Sequence, residues 1–380
     1  MFGSIFTGLS GMNAFSHALR QISNNITNIN SNGFKSVDLT FSGLFGTGGA
    51  GEGVMLDAPR FDFAHGELRQ TTNDLDLAID GDGFLVLLRD AGQVFTRTGN
   101  FEVNKDGDIV LAGTDYKLAV LDAIGHPTSV SIASNRTFAP QQTRTITFAD
   151  NLSSTATNFS LSSIKVYDAS GNVDNWTATF SRDANAAAGE WSLSVKNGGG
   201  VEIGKQTLRF INGIVDPLTA QLTFSDAAGR SAAFDFSHNV TSFSSGDASS
   251  LRVANSDGFA SGDLTSVSVN TDGQLEIAYS NGQKRQVGDI ALAAFRDPQK
   301  LQQETGGFFA AEQGEARDYL SSASLRVGKV IGRKLEASNV DLSKEFGDLI
   351  LVQRGFQASS QVVSISNDMI QQLFGIRGQG

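Results

Sequence analysis

The chain has 380 residues, 40% of them hydrophobic, and a formal net charge of -11. That length is enough to bury a sizeable core in roughly two or three domains, while the acidic balance excludes nucleic acid and an anionic membrane surface as partners, because both need a basic face. Cysteine is absent, which removes disulfides and thiolate chemistry.

The first predicted element is a helix. Ile5, Met12, Leu19 and Ile26 recur every seven residues, Phe15, Ile22 and Ile29 interleave with them, and Leu9 joins the set. Asn32-Gly33 supplies the stop. Between Met1 and Val37 the charged side chains are Arg20 and Lys35 alone, and Asn13, Ser16, Asn24, Asn25 and Asn28 occupy the outward positions. A coiled coil that stands in water carries opposite charges beside its seam. This stretch carries none, so it is expected to pack against copies of itself in an assembly, with an intramolecular helical hairpin as the alternative that periodicity leaves open. Its apolar residues are spaced along a helix and follow no basic start, so a secretory signal peptide is not expected and export would use another route.

Phe34 to Phe45 follows, then the glycine-rich Gly46 to Gly53, expected to be a flexible joint. Gly46 to Gly51 matches the spacing of the dinucleotide fingerprint, but that fingerprint needs a strand before it and a helix after it, and Glu52 to Pro59 is no helix start. From Arg60 the pattern becomes short and alternating. Phe84 to Leu88 and Gln93 to Arg97 read as strands, and Asn104-Lys-Asp-Gly-Asp108 as the turn joining Phe101–Val103 to Ile109–Leu111. Counted from Asn104, the sixth position is Ile109 and the twelfth Asp115, where a calcium loop needs Gly and Glu. Asp74, Asp76, Asp80, Asp82, Asp106 and Asp108 are therefore read as turn residues.

Strands then recur at Arg144–Phe148, Ile164–Tyr167, Thr177–Phe180, Trp191–Val195, Leu208–Ile211, Leu222–Phe224 and Phe234–Phe236, many of them separated by turn-like stretches. Their spacing predicts a sandwich or barrel, with Trp176 and Trp191 in its core. Beyond the Ser/Gly-rich Ser242 to Ser250, Val267–Asn270 and Leu275–Tyr279 flank Thr271-Asp-Gly273, Asn281-Gly282 marks a hairpin, and Ile290 to Phe295 is a buried strand.

The last element is a long helix. Leu342, Leu349, Phe356, Val363 and Ile370 repeat every seven residues, with Phe346 and Phe374 on the adjoining seam position and polar Gln353, Ser360 and Asn367 completing it. Residues 341–374 would make a rod of roughly 50 Å. Gly347 and Gly355 stand where a surface helix prefers Ala, Glu or Lys, which suits close approach of another backbone.

The elements together predict an α+β chain, mainly β. Residues 1–59 and 335–380 form a coiled-coil-like inner domain of two terminal helices with a linker, 60–143 and 244–334 a discontinuous β domain, and 144–243 an inserted β-sandwich or barrel. No serine-nucleophile elbow, phosphate loop or zinc-binding helix motif occurs, and His17, His65, His126 and His238 lie in four separate segments. Neither an enzyme nor a cofactor or metal is expected.

Three groups of residues resemble the bacterial flagellar axial proteins of rod and hook. Ser10-Gly-Met-Asn13, Asn24-Asn-Ile-Thr-Asn28 and Asn32-Gly-Phe-Lys35 are similar to that family's N-terminal signature. Asp74-Leu-Asp-Leu-Ala-Ile-Asp80, Gly83-Phe84 and Phe95-Thr-Arg-Thr-Gly-Asn100 look like its first β domain, and Leu335 to Glu345 with Gln353-Arg354 like its C-terminal signature. Residues 144–243 carry no such motif. The resemblance implies a homopolymer subunit, and the large β insert favours the hook members, whose curved tube couples rod to filament as a universal joint. It implies the distal rod protein, hook cap, hook-filament junction protein, hook-length ruler and flagellar type III export gate as partners, and a place outside the cell in the flagellum. It also implies roles in assembly for the two helical stripes, and in export-gate recognition for Phe41 and Phe45 of Phe41-Ser-Gly-Leu-Phe45. A distal-rod subunit and a secreted β-rich binding module are the alternatives.

Overall fold

A computed structural model describes residues 2–45, 51–90, 92–182, 187–312, 314–322 and 324–377, the side chains of Phe45 and Phe374 lying outside the described set. The fold is mainly β with two long helices, α1 (Phe2–Thr27) and α2 (Leu342–Arg377). It divides into two compact units, one of Met1–Ala133, Val267–Ile277 and Arg285–Gly380, the other of Ser134–Ser266 and Ala278–Lys284.

In the first unit, antiparallel strands Gly92–Thr96, Phe84–Arg89, Lys117–Leu121, Ile109–Leu111, Thr98–Val103, Asp76–Asp80 and Lys329–Gly332 lie side by side in one sheet. Val103 pairs with Ile109, as the Asn104 to Asp108 turn requires. The core beneath is built of phenylalanine. Phe84 and Phe309 meet edge to face at 5.6 Å and Phe95 and Phe295 at 4.9 Å, with Phe61 and Phe63 packed against them. Such edge-on ring contacts bury large apolar area in a defined geometry.

Asp76 corrects the turn reading of the early aspartates. It opens the strand Asp76–Asp80, is buried, and accepts hydrogen bonds from the amides of Asn73 (2.9 Å) and Asn100 (2.7 Å). The apolar Leu75, Leu77 and Ile79 are buried on one face and Ala78 on the other, so the segment is held as a strand by both its faces while its first acid finds amide donors.

The glycine-rich stretch also departs from expectation. From Gly51 on it forms a strand, Gly51–Leu56, antiparallel to Phe41–Phe45, while residues 46–50 of the expected joint lie outside the described set. Gly53 explains why glycine is needed there. Its φ is +140°, a conformation that side chains rarely adopt, and a Cβ would stand 2.1 Å from Ser10 Oγ on α1, which would have to move aside.

The second unit holds a sheet in the order Asn158–Tyr167, Val173–Ser181, Glu190–Lys196, Glu202–Ile211, Ile214–Val215, Val240–Thr241, Thr145–Asn151, Ser231–Asp235 and Gln221–Ser225. It curls over a core that contains Trp176, Trp191, Phe148, Phe180, Phe234 and Phe236, each no more than 1% exposed.

Candidate assembly surface

The two terminal helices pack on each other, and glycine sets how closely. A Cβ on Gly8 would lie 2.7 Å from Val363 Cγ2 and 3.1 Å from the Ser359 carbonyl oxygen, and one on Gly11 would lie 2.6 Å from Ser359 Oγ. In return, a Cβ on Gly355 would enter the Phe15 ring at 2.5 Å. Ala18, Ile22 and Val352 form the buried centre, flanked by Phe15, Leu19, Ile26 and Leu349. Phe41 covers the flank of α1, its ring 5.5 Å from that of Phe15.

This seam has one predicted series at its centre and part of the other along its flank. Phe15 and Ile22 face α2 as the spacing suggests, but the companion positions are Gly11, Ala18 and Asn25, one residue ahead of Met12, Leu19 and Ile26. On α2 the companions are Glu345, Val352 and Ser359 in place of Phe346, Gln353 and Ser360. The physical reason is size: backbones approach closely where side chains are small, so the bulky residues turn to the flanks. Ile5, Met12, Ile29, Val363 and Ile370 are half-buried, while Leu9, Leu342, Phe346 and Phe356 are exposed.

The seam leaves large apolar side chains outside, among polar ones such as Asn13, Asn24, Gln353 and Gln361. Phe6 is 66% exposed, Ile350 59% and Leu351 70%, and Leu9, Val362, Ile365 and Met369 are exposed with them. None of Phe6, Ile350, Leu351, Val362, Ile365 and Met369 belongs to the heptad series read from the sequence. On α2, Leu351 and Ile365 are spaced by two heptads, which is the signal for a second face. A shallow cleft of about 680 Å³ runs between Phe6, Leu9, Met12, Asn13, Ser16 and Phe356. Monomeric proteins rarely leave contiguous apolar surface of this kind uncovered.

Polar contacts tie the helices to each other, to the strand that follows α1 and to the first β domain. The Asn25 side chain donates to the Val37 carbonyl (3.1 Å) and to Glu345 Oε1 (2.9 Å), and accepts from the Val37 amide (3.2 Å). Burial pushes the Glu345 carboxyl above its ordinary range, and neighbouring Asp348 adds to this while Asn25 opposes it.

Lys35, Arg97 and Glu336, all buried, form the second tie. Lys35 Nζ donates to Glu336 Oε1 (2.6 Å) and to the Ala64 carbonyl (2.7 Å), and Arg97 Nε donates to Glu336 Oε2 (3.1 Å). Burial pushes Glu336 up, but the Arg97 and Lys35 charges outweigh it and hold the carboxyl below its ordinary range. Asn339 accepts from the Ser36 amide (2.8 Å) and donates to the Asp62 carbonyl (2.8 Å). Residues of all three sequence signatures thus meet at one place. Among the described residues no cluster of His, Asp and Glu fit to hold a metal ion occurs.

Comparison with known proteins agrees with this arrangement. Three family models match: "Flagella basal body rod protein" at residues 5–35, "Flagellar hook protein FlgE/F/G D1 domain" at 78–158 and "Flagellar basal body rod FlgEFG protein C-terminal" at 333–376. The chain is 30% identical over 407 residues to the flagellar hook protein FlgE of Salmonella typhimurium, covering 98% of this chain and 100% of that relative. It is 30% identical over 397 residues to FlgE of Escherichia coli K12, covering 97% and 98%, and 28% identical over 403 residues to FlgE of Brucella suis, covering 99% of each. Among solved structures, the Helicobacter pylori flagellar hook protein FlgE2 aligns with a TM-score of 0.53 at 12% identity, over 71% of this chain and all of that one, a likeness of fold.

Proposed function

The chain belongs to the flagellar hook protein family, and from that premise we propose that it is the subunit of a curved, tubular hook that passes torque from rod to filament. In this reading residues 1–59 and 335–380 form the inner tube, the β domain of 60–143 and 244–334 the layer around it, and residues 144–243 the outermost layer. Association is head to tail, so that it grows as an open helix instead of closing into a ring. Its neighbours in the flagellum are the distal rod protein, the cap, the hook-filament junction protein and the length ruler, and it reaches them through the type III export gate.

The observation that carries the proposal is the apolar outer face of the helical pair. Phe6, Leu9, Phe346, Ile350, Leu351, Phe356, Val362, Ile365 and Met369 are all more than a third exposed, a costly arrangement for a chain that stays alone. Leu351→Asp and Ile365→Asp are the test. Both sites are exposed, so thermal stability should change by no more than about 0.5 kcal/mol, while polymer yield by sedimentation should collapse. Wild-type polymer yield from both variants would contradict the proposal.

A further inference from the structure

The chain leaves α1 through residues 32–36 and returns to α2 through residues 336–341, and both crossings run through the Lys35–Glu336–Arg97 cluster. On the first crossing, the Gly33 amide donates to the Glu336 carbonyl (2.7 Å) and Lys35 to the Glu336 carboxylate. On the second, the Glu336 amide donates to Thr98 Oγ1 (3.1 Å), whose own proton goes to the Leu77 carbonyl (2.6 Å). The Gly66 amide also donates to Glu336 Oε1 (2.9 Å). Arg97 holds the far side of the cluster, through the Gly81 carbonyl (2.7 Å), the Gly83 carbonyl and His65 Nδ1 (3.0 Å).

We infer that this cluster is a single rigid joint, in which one carboxylate grips both crossings at once and fixes the angle at which the helical pair leaves the first β domain. A buried ion cluster is a poor device for stability alone, since packed apolar side chains of the same volume serve as well or better. It is a good device for geometry. Lys35 and Glu336 have side chains 0% exposed and Arg97 3%, so a tilt of either crossing draws a charge off its partner where no water can replace it. Close packing adds to this: a Cβ on Gly33 would stand 2.8 Å from Thr98 Cγ2, and one on Gly66 2.0 Å from the Ala337 carbonyl oxygen. In a polymer the joint would carry twist from the helices into the β layer. That mechanical consequence rests on the proposed function, whereas the joint itself is a property of one chain.

Amide hydrogen exchange on the full chain tests the joint. The Gly33, Ser36, Gly66 and Glu336 amides should exchange together, within about tenfold of the slowest amides of the strand Phe84–Arg89. Lys35→Met should speed all four by about a hundredfold or more while that strand is unchanged. If Lys35→Met exposes only Ser36, the crossings are separate tethers and the inference fails. If it exposes the strand equally, the cluster is a general stabiliser of the fold and the inference fails as well. A wild-type chain that shows the shared protection but forms no tubes would contradict the proposed function and leave the joint standing.

Discussion

Glu336 and Glu345 are buried carboxyls with opposite surroundings, and pH should separate them. Glu336 has two cations beside it, so Glu336→Gln strands both charges and should cost about 3–5 kcal/mol in urea denaturation at neutral pH. Its folded carboxyl titrates below the ordinary value of 4.5, so its contribution is complete above the unfolded value and drains away as pH falls through the folded one. The variant should lack that acid limb. Glu345 accepts a hydrogen bond from the Asn25 side chain and has Asp348 and Asp38 as neighbouring charges of like sign, with Lys344 the opposing cation, itself held by Asp38 at 2.6 Å. Its folded carboxyl titrates above 4.5, so its contribution is complete below the unfolded value and is lost as pH rises through the folded one. Glu345→Gln should therefore raise the melting midpoint at pH 7 and leave it unchanged near pH 4, and equal shifts at both pH values would contradict this. Lys35, Arg97, Glu336 and Asn339 all stand in sequence signatures, yet their meeting was not legible. Lys35 and Glu336 are 301 positions apart, and no local pattern encodes a contact across that span.

At the scale of elements, the two glycines of α2 should respond to substitution in opposite directions. Gly347 has nothing within 4 Å of a built Cβ, so Gly347→Ala should gain up to about 1 kcal/mol of helix propensity. Gly355→Ala gains the same propensity but drives its methyl into the Phe15 ring, and Gly11→Leu places a branched side chain against Ser359; both should lower thermal stability by opening the helical pair. The sequence made the helices and their period plain, because large apolar residues announce a seven-residue repeat. It set Leu19 and Ile26 at the centre in place of Ala18 and Asn25, because Gly11, Ala18, Asn25, Glu345 and Ser359 leave no hydrophobic trace. The export role proposed for Phe41 and Phe45 falls on the strand Phe41–Phe45, which forms a hairpin with Gly51–Leu56. Phe41 packs on Phe15 in the folded chain while remaining 40% exposed, so recognition of Phe41 and Phe45 by the export gate would precede folding of this hairpin. Phe41→Ala with Phe45→Ala should reduce secretion while polymerisation of purified protein is largely kept; unchanged secretion would count against the role.

For the whole molecule, the short strands and their turns were readable from alternation and from turn residues such as Asn104 to Asp108 and Asn281-Gly282. Their neighbours in each sheet were not, since Lys329–Gly332 pairs with Asp76–Asp80 across most of the chain. The terminal helices, and not the β domains, are proposed to drive assembly. Electron microscopy decides it most directly, on the full chain at high concentration and in salt sufficient to screen the net charge of -11, beside a chain cut to residues 60–334. Curved tubes from the full chain and none from the shortened one are the predicted result. Tubes from both would place the driving contacts in the β domains, and tubes from neither would remove the ground for reading the apolar helix face as an assembly surface.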